Sequence, residues 1–148
     1  MIIYDLGSLL RAAPSGLYRL QGNSKDPRIG QLCRLMGVCL LRIDAHAART
    51  KRAFLRASAR DLMFPSWFGA NWDALSDCLT DLSWAPASAY LVLIDCLEAF
   101  ATARPPDFHR ALAIFEDAAG VWSDRGVPFH VLLASSTQSS VLPAVLVP

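Results

Sequence analysis

Asp73, Asp77 and Asp81 recur every fourth residue in FPSWFGANWDALSDCLTDL, residues 64–82, a stretch with no lysine, arginine or histidine. At about 100° per residue, this spacing stacks three carboxylates in one column of a helix. Such a column could hold a metal ion, act as acid and base, or present itself to something positive. Trp72, Leu75, Cys78, Leu79 and Leu82 fall on a separate arc of the same helix, so the carboxylates are predicted to face outward. Asn71 is a natural N-cap, and Asp73 in the first turn gains about 0.3–1 kcal/mol from the helix dipole. Neither effect explains Asp77 and Asp81, because like charges at i, i+4 repel by about 0.2–0.5 kcal/mol per pair. A solvated helix face is the simplest account of such a row; a binding surface is the more specific one.

The elements around this helix read clearly. Asp26-Pro27 opens a helix in which Ile29, Leu32, Cys33 and Met36 keep the apolar spacing and Gly37 ends it. VCLLRI (38–43), AYLVLID (89–95) and PFHVLLA (128–134) are short, nearly continuous apolar runs of the kind buried on both faces of a parallel sheet. Thr50 caps KRAFLRASARDL, whose Phe54, Ala57 and Leu62 point inward while its cations point to water. Pro105-Pro106-Asp107 starts a long helix carrying Phe108, Leu112, Phe115, Ala119 and Trp122. GLYRL (16–20) alternates and is predicted as an edge strand, and the tail SSTQSSVLPAVLVP as irregular. The expected class is α/β, a small, mainly parallel sheet of three to four strands packed with helices.

Charge is polarised along the 148 residues even though the net charge is only +1. Residues 61–103 contain no lysine or arginine, but hold Asp61, Asp73, Asp77, Asp81, Asp95 and Glu98. The first 60 residues hold most of the cations, including Arg49, Lys51, Arg52, Arg56 and Arg60. Cys33, Cys39, Cys78 and Cys96 lie in apolar segments without CxxC spacing, and the three histidines are isolated. No metal site and no cofactor is expected. No apolar run reaches the ~18 residues of a membrane span. The opening MIIYDLGSLLRAAPSG lacks the basic-then-apolar layout of a secretory leader. The expected location is therefore the cytoplasm.

Pro65, Trp67-Phe68, Gly69, Asn71, Asp73-Ala74-Leu75 and Asp77-Cys78-Leu79-Thr80 form a long ungapped pattern. It resembles the signature of the barstar family of intracellular ribonuclease inhibitors, and the element order is similar from 38 to 134. The resemblance implies a three-stranded parallel sheet packed with helices. Residues 1–37 would add an edge strand and a helix to the same sheet, and 135–148 a tail. It also implies a mechanism, in which helix carboxylates take the places of RNA phosphates in a basic ribonuclease site. Asp77 would be the principal phosphate surrogate and Asp73 its neighbour, with Trp67 packing over the enzyme and Gly69 and Asn71 shaping the approach. Asp117, on the long helix, matches an acidic residue that meets the partner; Asp81 is outside the contact set of the best-known member and joins the candidate partner-binding residues through its spacing alone. Several positions depart from the best-known pattern: Trp67 stands for a tyrosine, Ser66 and Ala70 for acidic residues, and Ser76 for a tryptophan.

Two other classes have some footing. Asp95 ends a strand as a phosphatase nucleophile does, but position 97 is leucine and no nucleophile motif or Gly-rich phosphate loop accompanies it. Its simplest role is to cap the helix after it. The basic 1–60 segment could touch nucleic acid, although it lacks interleaved exposed aromatic residues. The reading that unites these features is an inhibitor of a toxin-like or extracellular-type ribonuclease, acting without turnover.

Overall fold

The three apolar runs become adjacent parallel strands in the computed structural model, which describes residues 3–134 and 142–147. In chain order the elements are β1 (Ile3–Asp5), α1 (Leu6–Ala12), β2 (Gly16–Gln21), α2 (Pro27–Met36), β3 (Cys39–Asp44) and α3 (Lys51–Leu62). There follow α4 (Trp72–Asp81), β4 (Tyr90–Asp95), α5 (Glu98–Ala103), α6 (Pro105–Asp124), β5 (Phe129–Ala134) and β6 (Ala144–Leu146). The sheet order is β1-β6-β2-β5-β4-β3, every pairing parallel.

Alternate residues of the central strands feed two cores. Tyr90, Val92 and Ile94, with Phe129, Val131 and Leu133, face α3, α4, α5 and α6. Leu91, Leu93 and Leu132 face the other way, toward Leu6 and Leu9 of α1 and Ile29 and Cys33 of α2. Helices on both faces are why these strands carry no polar alternation.

The α/β class is as expected, but among the described residues the sheet has six strands rather than three or four. Strands β3, β4 and β5 form one contiguous half, and β2, β6 and β1 extend it beyond β5. GLYRL is not at the edge: β2 is bonded to β5 on one side and β6 on the other, and β1 takes the edge. The tail, expected to be irregular, contributes β6 through Ala144 and Val145, both fully buried; residues 135–141 and 148 lie outside the described residues.

The helix boundaries follow their caps. Asp26 accepts from Arg28 N at 2.9 Å, Thr50 Oγ1 from Ala53 N at 3.1 Å and Asn71 Oδ1 from Ala74 N at 2.8 Å. Gly37 closes α2 at φ 70°, where a side chain would be strained. The far end of α3 is tied to the sheet: Asp61 accepts from the Asp44 backbone N–H at 2.7 Å, and Arg60 donates to both Asp61 and the Asp44 carbonyl. Arg60 is thus a clamp rather than a free surface cation.

His130 in β5 is fully buried, with Nε2 2.9 Å from the Ala13 carbonyl. A neutral ring donates this bond, and burial pushes the pKa below the ordinary histidine value. A depressed folded pKa means the unfolded chain binds the proton first, so stability is complete above about pH 6.5 and falls as pH drops through the folded value. The melting temperature is expected to fall between pH 7.5 and 5. It should fall less steeply in His130→Gln, which keeps a donor without a titrating ring.

Candidate functional site

Helix α4 presents its carboxylates because its other side is committed. Ala74, Leu75, Cys78 and Leu79 are buried, whereas Asp73, Asp77 and Asp81 are all exposed. The helix is fixed to α6 by Trp122, whose Nε1 donates to the Leu79 carbonyl at 2.7 Å, and by Arg125 donating to the Thr80 carbonyl at 2.5 Å. Leu82 ends it in a left-handed conformation at φ 49°, a strain accepted in return for full burial of its side chain. The acidic face therefore rides on a rigid support.

Burial pushes the Cys78 thiol up to about 11, with Asp77 and Asp81 adding to the effect. It is a buried packing group, not a nucleophile. Among the described residues, no group of three His, Cys, Asp or Glu side chains is placed to hold a metal ion.

The loop that leads into α4 is built on aromatic packing. Phe64 lies 5.0 Å from Phe68 and 6.0 Å from Trp84, centroid to centroid, and Trp84 Nε1 donates to the Leu62 carbonyl at 3.1 Å. With these rings turned inward, Trp67 is left 55% exposed, an unusual position for a tryptophan. Gly69 and Ala70 follow, both exposed, with Ala70 at φ 52°. Trp72 is half-buried beneath Lys51, whose Nζ sits 5.2 Å from the ring centroid. Trp67, Gly69, Asn71 and Asp73 therefore follow one another along one exposed loop and the first turn of α4. Asp77 and Asp81 continue the line down that helix. Asp117 is exposed on α6, the helix against which α4 packs. Lys51 over Trp72 was not anticipated: it lies twenty-one residues away in sequence, and no local pattern signals the contact.

Asp95 has a different occupation. Its carboxylate accepts from Ser24 Oγ at 2.5 Å, while Arg42 donates to the Ser24 carbonyl at 2.8 Å. It does not cap the next helix. Cys96 enters the left-handed region at φ 60°, and α5 starts after Leu97 without a side-chain cap. Asp95 instead fastens the loop after β2 to the end of β4, beside a cleft of about 180 Å³ lined in part by Lys25, Arg42, Asp44 and Asp61. No helix among the described residues is long and apolar enough to cross a membrane.

Comparison with known proteins bears on both parts of the molecule. Residues 38–134 match the family described as Barstar (barnase inhibitor), a span running from just before β3 to the end of β5. A search of curated proteins gives no match. Among solved structures, the Aeropyrum pernix ORC2 protein, determined in ADPNP–ADP complexes, is similar with a TM-score of 0.62 and 16% identity. The similarity covers 95% of this chain and 43% of that one. Drosophila ORC bound to DNA aligns at a TM-score of 0.45 and 13% identity, over 90% of this chain and 26% of that one. The chain thus spans less than half the length of either. At such identity the first of these shows the fold alone, including strands outside residues 38–134.

Proposed function

The chain belongs to the barstar family, and on that premise we propose that it is a protein inhibitor that binds and blocks the active site of a ribonuclease. The observation that carries the proposal is the exposed Asp73, Asp77 and Asp81 row on a helix that buries Ala74, Leu75, Cys78 and Leu79 on its other side. A ribonuclease holds RNA phosphates with cationic side chains. Carboxylates on a rigid helix meet those groups with charge-assisted hydrogen bonds, and because the helix is already ordered, little conformational entropy is lost on docking. Asp77 is the central phosphate surrogate, with Asp73 and Asp81 on either side. Trp67 supplies the large apolar contact, Gly69 and Asn71 shape the approach, and Asp117 on α6 adds a peripheral charge. The target is a toxin-like or extracellular-type enzyme, and the inhibitor guards the cytoplasm against it. Neither a cofactor nor turnover enters this mechanism.

Other readings have less support. Asp95, the best catalytic candidate by position, is engaged by the Ser24 hydroxyl and by the thiol of Cys96, whose pKa is raised by burial and by Asp95 itself, so that this cysteine is held as the poorly nucleophilic thiol. Nucleotide binding, suggested by the complexes of the Aeropyrum pernix protein, meets an obstacle at α2. Phosphates in open α/β sheets favour a helix N-terminus, and here the Asp26 carboxylate already takes the Arg28 backbone N–H.

The proposal is tested by titrating barnase and a panel of other small basic ribonucleases with the purified protein while following RNA cleavage. Activity of at least one enzyme is expected to fall linearly to zero at one inhibitor per enzyme. A panel left fully active by excess protein would overturn the proposal.

A further inference from the structure

Between the start of α3 and the loop that leads into α4 lies a cationic cleft of about 340 Å³, lined by Lys51, Arg52, Leu55, Gly69 and Ala70. It shares Gly69 with the proposed inhibitory surface and contains no carboxylate. Among the described residues, neither Lys51 nor Arg52 takes part in the ion pairs of Arg28, His46 and Arg60. Lys51 is held in place over the Trp72 ring, and Gly69 leaves the rim without a side chain.

A partner that covers Trp67, Gly69, Asn71 and Asp73 comes down over this cleft as well, since a specific interface buries about 800 Å² on each side. Covering two cations without an opposite charge is strongly unfavourable. Resting on the inhibitor reading above, we propose that the cleft receives an aspartate or glutamate side chain from the rim of the target ribonuclease. The enzyme's recognised surface would then be bipolar, with cations in the catalytic cleft facing Asp73 and Asp77 and a carboxylate beside it facing Lys51 and Arg52. This arrangement selects among ribonucleases. All of them present cations at the active site, but only those with a suitably placed acid satisfy the cleft.

Charge reversal separates this idea from simple long-range attraction. Toward a basic enzyme, replacing any surface cation by glutamate should speed association. If a partner carboxylate sits in the cleft, Arg52→Glu should also speed dissociation, by roughly tenfold or more, because two like charges are then forced together. Arg56→Glu makes the same net change on the same helix at an exposed residue that does not line the cleft. It should leave dissociation unchanged. Both residues are exposed, and folding is checked by the melting temperature of each variant. The binding kinetics use whichever ribonuclease the titration shows to be inhibited, with Asp77→Asn measured alongside. Faster dissociation for Arg52→Glu but not Arg56→Glu supports the proposal. Equal dissociation rates for wild type and both reversals overturn it, even where Asp77→Asn shows the acidic face to be engaged. An Asp77→Asn variant that binds like wild type instead removes the inhibitor reading itself.

Discussion

Asp77→Ala is expected to lose about 2–5 kcal/mol of affinity for the inhibited ribonuclease, chiefly through faster dissociation. Most of that loss comes from the enzyme's side, where a cation buried by the complex is left without its partner. The folded monomer should not suffer. Asp77 is exposed, is followed one turn later by Asp81 and preceded one turn earlier by Asp73, and removing it relieves like-charge repulsion along the helix. Equilibrium unfolding is therefore expected to give a stability equal to wild type or slightly above it. Surface binding kinetics and a denaturant titration on the same preparation check both halves. A variant that loses affinity because it unfolds would mark Asp77 as a structural group.

Leu79→Ala, two residues away, is expected to do the reverse. Leu79 is fully buried in the core shared by α4, α6 and the sheet, and its backbone carbonyl accepts the Trp122 indole N–H. Deleting the side chain should cost about 2–5 kcal/mol of stability, the spread reflecting how far α4 and α6 close over the space. Below the temperature at which the variant unfolds, the carboxylate row remains in place and inhibition should persist. Chemical denaturation measures the first effect and inhibition at low temperature the second. Together the two substitutions separate the outward face of one helix from its inward face.

The sequence made the two faces of α4 legible because helical periodicity is strong over ten residues, and the side opposite the aspartates is nearly all apolar. Strands β3, β4 and β5 were legible for a similar reason: strands buried on both faces leave continuous apolar runs. The remaining half of the sheet was harder to read. β1 and β6 are three residues each, too short to leave a pattern, and Ala144–Leu146 follows directly after Pro143. β2 alternates like a half-exposed strand and so looked like an edge. Its burial pattern is indeed mixed, with Tyr18 and Leu20 buried and Gln21 exposed, although both its neighbours are bonded to it. At Asp95, the expected cap did not form because Cys96 turns the chain through the left-handed region. The Ser24 hydroxyl that engages Asp95 comes from 71 residues earlier, beyond any local signal. The same limit hid Lys51 over Trp72, a contact that only the packing of α3 beside the loop creates.

Phosphate mimicry makes a stricter demand than binding, because an inhibitor that occupies the phosphate positions must compete with RNA. The most direct measurement is the ribonuclease titration repeated at several RNA concentrations with wild type and Asp77→Ala. The expected result is an apparent wild-type inhibition constant that rises linearly with RNA concentration, and a much weaker inhibition by Asp77→Ala. Inhibition that is independent of RNA concentration, and equal for the two proteins, would contradict it.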